Sequence, residues 1–146
     1  MCQRKYALDI IDECGLLGSK PIDTSMEVNH KLAVATGASL HDAMQYRRLV
    51  GRLIYLTITR PELSYAVHIL SQFMKEPKED HLEAARRVLR YLKGHPGQGI
   101  LLQSDSNLQV SAYCNSDWGA YPLTRRSLTG FLVTLGGSPI SWKTKK

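Results

Sequence analysis

The sequence predicts an α+β fold in which a helical first part is followed by a small antiparallel sheet. Before about residue 95, apolar residues recur at intervals of three and four, the spacing of one helix face. After Gly97, short runs rich in β-branched and aromatic residues alternate with turn residues, a pattern typical of strands. We therefore expect three main helices between residues 41 and 94, and three or four antiparallel strands from residue 98 onwards.

Two amphipathic helices are predicted in succession in the middle of the chain. Residues 59–62 separate them, because these residues have the spacing of a capping box and place Pro61 in a first turn, where its missing N–H does no harm. The connection is short, so we expect the two helices to pack together. The apolar face of the first comprises Tyr46, Leu49, Val50, Leu53 and Thr57. The face of the second comprises Leu63, Ala66, Val67, Leu70 and Phe73.

A third long helix is predicted over residues 78–93, and a shorter one near the start over residues 6–14. Gly94 and Gly15 end them, because a glycine just past a helix is a common stop signal. Residues 16–38 have neither period and contain scattered turn residues, which predicts a long surface connection. The apolar face of the third helix comprises Leu82, Ala85, Val88, Leu89 and Leu92.

Four runs carry the strand pattern: "GILLQ", "LQVSAYC", "LTGFLVTLGG" and "PISWK". Gly136-Gly137 predicts a hairpin turn and not a phosphate loop, because no helix pattern follows it. The domain boundaries that result are 1–95 for the helical region and 96–146 for the sheet. Either the helices cover one sheet face or part of a larger domain is absent. The residues expected to be buried in an alternating subset are Val110, Ala112, Phe131 and Val133.

Composition narrows the class of protein. The 146 residues have a net charge of +6 and are 43% hydrophobic, which fits one globular domain or two subdomains and modestly favours a polyanionic partner. No apolar run reaches membrane-spanning length and no secretory signal is recognisable, so we expect an intracellular protein, cytoplasmic or nuclear, without a membrane partner. Three distant cysteines and five dispersed histidines predict no disulfide framework, no zinc site and no other bound metal.

Residues 112–127, "AYCNSDWGAYPLTRRS", look like the mouth of a site that handles phosphates. An amide and a carboxylate leave an apolar strand, and an aromatic residue and a basic pair follow. A single loop carboxylate is more often a turn or capping residue than a metal ligand, and an aromatic residue at a strand end more often packs a core than stacks on a base. The residues concerned are Asn115, Asp117, Trp118, Arg125 and Arg126.

A basic row is predicted on the third long helix, where Arg86, Arg90 and Lys93 recur at intervals of four and three. Such a row can follow a phosphate backbone. The alternative is a solvated face whose charge is moderated by Glu83 and Asp80. The first long helix poses the same choice with Arg47, Arg48 and Arg52.

The order of several motifs, among them "YRRLVGRLIYLTITRPELSYAV", "HLEAARRVLRYLKG" and "YCNSDWGAYPLTRRSLTGFLVTLGGSPISWKTKK", resembles the C-terminal part of the polyprotein of copia-type retrotransposons. The resemblance covers nearly the whole chain. It implies that the first half corresponds to the thumb and connecting helices that follow the polymerase palm. The second half then corresponds to the opening three strands of a ribonuclease H domain. The activity implied is reverse transcription with digestion of the RNA strand of the hybrid.

The departures from that family pattern concern catalysis. The Tyr-x-Asp-Asp tetrapeptide of the polymerase palm does not occur, which excludes polymerase chemistry for this chain alone. Ribonuclease H of the family opens its site with Asp-x-Asp-Trp and holds two Mg²⁺ ions about 4 Å apart. Asn115 takes the first position here, and its neutral amide lacks the charge that Mg²⁺ requires. The family's later Glu and Asp fall beyond the last residue of this chain.

We therefore expect a truncated retrotransposon polyprotein fragment without catalytic residues or a cofactor, because Mg²⁺ is expected only in an intact family member. Weak, non-specific binding of an RNA–DNA hybrid or other nucleic acid is expected at five basic residues. One alternative is a ribonuclease H-type nuclease completed by a partner chain. Another is a stand-alone interaction module that self-associates through an exposed sheet edge. The five basic residues are Arg86, Arg90, Lys93, Arg125 and Arg126.

Overall fold

Four α-helices are followed by a three-stranded antiparallel sheet in the computed structural model, which describes residues 1–117 and 127–145. The predicted α+β fold is therefore confirmed. The chain divides into two compact units, here called the helical unit, Cys2–Gln98, and the sheet unit, Gly99–Lys146 together with Met1. Within the described ranges, no helix is both long and apolar enough to cross a membrane.

The three main helices and the shorter one before them lie where the sequence predicts them. The shorter helix ends at Gly15, whose φ of 68° is easily adopted only by glycine. There the amide of Gly15 donates to Asp12 O at 2.8 Å and the amide of Leu16 donates to Ile11 O at 2.9 Å, the bond pair of a Schellman motif. The helices are α1 (Arg4–Glu13), α2 (Ala43–Leu56), α3 (Ser64–Ser71) and α4 (Glu79–Gly94).

The predicted apolar faces form the core of the helical unit. The faces assigned to the second and third long helices are entirely buried. On α2 the buried face ends at Leu56 instead of the predicted Thr57, which lies half-buried at the C-cap. The Tyr46 hydroxyl on the same face donates to Leu70 O of α3 at 2.8 Å, and burial raises the pKa of this tyrosine. Helices α2 and α3 therefore pack together, as their short connection predicts.

The corner between α2 and α3 departs from the predicted capping box. Pro61 does open the restart, as the first residue of a 3₁₀ turn (Pro61–Leu63) that leads into α3. However, the Thr59 hydroxyl donates to Gln3 Oε1 at 2.7 Å and no side chain caps the turn. The capping-box interpretation is wrong, because a residue distant in sequence takes the hydroxyl that local spacing assigned to the cap.

Arg60 at this corner is buried, with 1% of its surface exposed. Its Nε donates to Glu62 Oε1 at 2.5 Å, and its Nη1 donates to His95 O beyond the end of α4 at 2.9 Å. Its Nη2 has no hydrogen-bond partner within the described chain. The guanidinium therefore ties the α2–α3 corner to the C-terminal end of α4.

His81, in the first turn of α4, is also buried. Its Nδ1 accepts from the Lys78 amide at 2.9 Å, so Nε2 carries the proton and donates to Leu32 O at 3.0 Å. The ring stacks on Phe73 with centroids 4.0 Å apart. Burial lowers the pKa of His81 below its ordinary value of 6.5, and the neutral ring suits both hydrogen bonds.

Residues 16–38, here called the strap, run along α4 from its C-terminal end to its N-terminal end. The amide of Ile22 donates to Arg90 O at 3.4 Å, and the amide of Glu79 donates to Ala38 O at 3.0 Å. The strap contains one 3₁₀ turn (Leu32–Val34) and otherwise no helix or strand, as its irregular sequence predicts. It is nevertheless fixed at both ends of α4.

The sheet has the strand order β1-β2-β3, with both connections antiparallel. Leu135 pairs with Ser138 across the predicted two-residue turn, where Gly136 and Gly137 have φ of 54° and 79°. A Cβ on Gly136 would come within 2.3 Å of Ser106 Cβ, so the glycine is required there for space as well. The strands are β1 (Val110–Asp117), β2 (Leu128–Leu135) and β3 (Ser138–Lys145).

The three strands agree with the predicted three or four, but two finer expectations for the sheet are wrong. Residues 100–109, which include most of the run "GILLQ", contain no strand. The expected burial is also absent for three of the four named residues, since Val110 is 64% exposed, Phe131 is 41% exposed and Ala112 is exposed. Val133 is half-buried. Alternation along a strand identifies which residues share a face, but it does not say that the face is covered.

The neutral state of His81 predicts a loss of stability in mild acid. The unfolded histidine takes up a proton as the pH falls through about 6.5 and the folded one does not, so stability is full above that pH and decreases below it. His30, whose pKa is also lowered by burial, adds to the same trend. Urea unfolding at pH 7.5 and pH 5.5 should show the decrease, and His81→Gln should reduce it because glutamine does not titrate.

His41→Gln is the matched control, because His41 is exposed. An equal decrease in the free energy of unfolding for the parent and His81→Gln would contradict the assignment of the effect to His81.

Candidate nucleic-acid interface

Two of the three residues in the basic row predicted on α4, Arg90 and Lys93, contact the strap. Arg90 donates through Nε to Lys20 O at 2.9 Å. Lys93 donates through Nζ to Ser19 O at 2.5 Å and also to Leu17 O. Backbone carbonyls outside helices and sheets need donors, and these two side chains supply them along the C-terminal half of α4. Arg90 and Lys93 therefore hold the strap against α4, whatever else they bind.

Carboxylates pair with the other two arginines of α4. Arg86 donates to Glu83 Oε1 at 2.5 Å, one turn away on the same helix. Arg87 donates to Glu27 Oε1 and to Thr24 Oγ1 of the strap, both at 2.9 Å.

The two kinds of partner leave different charges behind. A carbonyl accepts a hydrogen bond without cancelling the positive charge, whereas a carboxylate cancels it. Within residues 1–117 and 127–145, no carboxylate forms an ion pair with Arg90 or Lys93. These two residues, more than Arg86, therefore carry the uncompensated charge of the row.

The N-terminal half of α4 holds the other end of the strap. Lys78 Nζ donates to Ala35 O at 2.6 Å, and Asp80 Oδ2 accepts from the Gly37 amide at 2.9 Å. A Cβ on Gly37 would come within 2.9 Å of that same Asp80 oxygen. Sequence reasoning missed these roles of Lys78 and Asp80, and assigned Asp80 to a solvated face. The one local signal is a glycine at the point where the strap approaches α4.

Two arginines of α2, Arg47 and Arg52, bind other parts of the helical unit. Arg47 donates to Met74 O at 2.7 Å and to Lys75 O at 3.1 Å, just beyond α3. Arg52 forms a two-pronged ion pair with Glu13 of α1, and its guanidinium lies 5.5 Å from the centre of the Tyr6 ring. This pairing holds the pKa of Glu13 below its ordinary range.

Arg48 of α2 is exposed. It lines a small cavity of about 150 Å³ together with Arg52 and Arg86. The structure thus brings an arginine of α4 next to two arginines of α2, which the sequence treats as separate rows. Glu13 and Cys14 line the same cavity, and burial raises the pKa of the Cys14 thiol.

The remaining predicted site residues belong to the sheet unit. Asn115 is exposed on β1 and pairs with Gly130 of β2, and Asp117 is the last residue of β1. Trp118, Arg125 and Arg126 lie outside the described residues. Among the residues that the structure does describe, no three histidine, cysteine or acidic side chains come together as a metal site.

Curated proteins of transposons and of plant mitochondria are similar to this chain. The chain is 44% identical over all 146 residues to the retrovirus-related Pol polyprotein from transposon RE1 of Arabidopsis thaliana, and spans 10% of its length. It is 42% identical over 146 residues to the uncharacterized mitochondrial protein AtMg00810 of that plant, spanning 60% of it. It is 49% identical to AtMg00240 over 78 residues, 53% of this chain and 70% of that protein. The chain is therefore similar over its full length to a segment of retrovirus-related Pol polyproteins from transposons.

This similarity to transposon Pol polyproteins agrees with the resemblance that the motifs indicate. The chain spans about one tenth of the length of the Pol relative from transposon RE1. No family model matches this chain. No solved structure matches it either.

The role of Lys93 in holding the strap can be tested directly. Lys93→Met keeps an apolar stem and removes both carbonyl bonds, which should cost about 1 kcal/mol of the free energy of unfolding at this partly exposed position. Amide hydrogen exchange should become faster in residues 16–22 before it changes in α2 or α3.

Lys75→Met is the control, because Lys75 is exposed and lies outside the strap. Exchange in residues 16–22 that is equal in the two variants would contradict a structural role for Lys93.

Proposed function

We propose that this chain is a segment from the C-terminal part of a copia-type Pol polyprotein. In this assignment residues 1–95 correspond to the thumb and connecting helices of the reverse transcriptase. Residues 96–146 correspond to the first three strands of a ribonuclease H domain. The observation that carries the proposal is the 44% identity to a transposon Pol polyprotein over all 146 residues. The order of helices followed by a three-stranded antiparallel meander is consistent with it.

The proposed activity is weak, sequence-independent binding to the phosphate backbone of nucleic acid. Support comes from the net charge of +6 and from the charge on Arg90 and Lys93, which no described carboxylate compensates. Arg86 contributes less, because Glu83 pairs with it. Arg125 and Arg126 belong to the proposed set from the sequence alone.

In this proposal the chain by itself does not cleave the RNA strand of an RNA–DNA hybrid. Two divalent ions bring four positive charges, and a working site opposes them with several carboxylates. Residues 96–146 contain only two acidic residues, Asp105 and Asp117. Asp105 lies in a turn before β1, and Asn115 offers a neutral amide where the family motif begins with Asp.

A second candidate function is an interaction module that pairs through the edge of the sheet. β1 forms one edge of the described sheet, and Val110 and Tyr113 are 64% and 62% exposed. An exposed edge with apolar residues can pair with another strand. Concentration-dependent self-association in sedimentation, lost with Tyr113→Lys, would favour this candidate.

A location in the cytoplasm or nucleus stays a prediction.

Nucleic-acid binding should weaken steeply with salt and should not depend on sequence. Arg90→Glu should reduce affinity for an RNA–DNA hybrid and lower the slope of log K against log salt by about 1 or more, because one phosphate contact is lost and a repulsion is added. Fluorescence anisotropy at salt concentrations from about 25 to about 200 mM measures both the affinity and its dependence on salt.

The matched control is Lys75→Glu, which changes the net charge equally but lies off the proposed interface. Circular dichroism checks that both variants are folded. Affinity that does not change with salt, or that falls equally in both variants, would count against a phosphate contact at Arg90.

Hybrid cleavage should be absent for the purified 146-residue chain with Mg²⁺ or Mn²⁺. Asn115→Asp alone should not create it, because one added carboxylate leaves the charge of two metal ions largely unopposed. A gel assay with a labelled RNA strand detects cleavage. Cleavage by the parent chain that Asp117→Ala abolishes would overturn this proposal and support a nuclease completed by another chain.

A further inference from the structure

A cavity of about 680 Å³ lies between the strap and α4, within the helical unit. Its volume is within the range of about 300–1,000 Å³ that is usual for small-molecule sites. The strap contributes residues 26–27, 30–32 and 34–36, and α4 contributes the opposite wall. The apolar part of the lining includes the buried side chains of Met26 and Leu32, together with Ala84 on α4.

The charged lining of the cavity is more cationic than acidic. Four basic residues line it, and three acidic residues oppose them. Glu27 and Glu83 are already paired with Arg87 and Arg86, and Asp80 accepts from the Gly37 amide. The basic residues whose charge no described carboxylate pairs are Lys31 and Arg90.

Two nitrogen atoms of lining residues are buried and have no hydrogen-bond partner in the described chain: Nδ1 of His30 and Nε of Arg87. Buried polar atoms of folded proteins almost always have partners, so each of these calls for an explanation. Arg87 Nε is a donor and requires an acceptor. The Arg87 guanidinium is also fixed in place, since its two terminal nitrogens already bind Glu27 and Thr24. Because Arg87 lines the cavity, its fixed guanidinium is preorganised for an acceptor on a ligand.

We propose that this cavity binds a phosphate monoester that carries a planar or apolar group, of about the size of a nucleoside monophosphate. The phosphate supplies acceptors for Arg87 Nε, Arg90 and Lys31, because a dianion with several oxygens matches several cationic donors better than a single carboxylate does. The planar group lies against Met26, Leu32 and Ala84. Arg86 and Arg90 line this cavity and also belong to the proposed backbone contact, so the apolar wall and Lys31 distinguish the two sites.

The test uses the whole ¹⁵N-labelled chain and nuclear magnetic resonance at low salt. AMP should shift the Nε–H signal of Arg87, the ring signals of His30 and the amide of Ala84 with one common affinity. Adenosine, which lacks the phosphate, and inorganic phosphate, which lacks the planar group, should each bind about tenfold more weakly or worse, a loss of about 1.4 kcal/mol. A short oligonucleotide with and without a 5′-phosphate shows whether the same chemistry can come from a strand end.

Two variants localise the site. Ala84→Leu fills the apolar wall without changing charge and should weaken AMP binding by about tenfold or more, while hybrid binding stays at the parental level. Lys31→Gln removes one exposed cation and should weaken AMP binding severalfold. Lys75→Gln, which removes an exposed cation away from the cavity, should have no effect.

The outcomes separate this site from the proposed nucleic-acid contact. If neither AMP at about 1 mM, where binding would be worth only about 4 kcal/mol, nor the 5′-phosphorylated oligonucleotide shifts Arg87, His30 or Ala84, the proposal is overturned even if salt-dependent hybrid binding persists. Equal AMP binding by Lys31→Gln and Lys75→Gln overturns it as well. Shifts with the phosphorylated oligonucleotide and not with AMP assign the ligand to a strand end instead of a free nucleotide.

Discussion

The helical unit depends on the contact between the cationic side chains of α4 and the backbone carbonyls of the strap. The strap satisfies only some of its carbonyls by its own amides, so further donors come from elsewhere in the chain. Lys78, Arg90 and Lys93 provide them at both ends of α4, and the neutral His81 ring provides one more to Leu32 O. The strap in turn covers one side of α4 and forms a wall of the cavity of about 680 Å³.

This arrangement explains how one set of residues can serve both folding and binding. A guanidinium or ammonium that donates to a carbonyl keeps its full charge, and its position is fixed without a carboxylate partner. The entropy that a long side chain loses on binding a phosphate is then partly lost already on folding. Where α4 uses carboxylates instead, as with Glu83 and Glu27, the local charge is neutral and adds less to the attraction for a phosphate.

Sequence reasoning succeeded where a regular period controls the outcome. The faces of α3 and α4 were predicted residue by residue, because helical spacing alone selects them, and Gly15 and the Gly136-Gly137 turn follow from glycine stereochemistry. Sequence reasoning failed where the hydrogen-bond partner is distant in sequence. The Thr59 hydroxyl donates to Gln3, and Arg90 and Lys93 donate to strap carbonyls about 70 residues away. No local pattern encodes such pairings. The cavity could not be predicted from the sequence either, because one of its walls is the irregular strap, whose path along α4 no local pattern encodes.

The buried guanidinium of Arg60 has a consequence for how the helical unit opens. If the end of α4 frays, the buried Arg60 guanidinium loses its hydrogen bond to His95 O. If the α2–α3 corner loosens, the guanidinium loses its ion pair with Glu62. Opening either region while the other stays folded therefore has a high free-energy cost. The corner and the end of α4 belong to one cooperative folding block, in which partial unfolding is suppressed and the lowest-energy opening exposes both together.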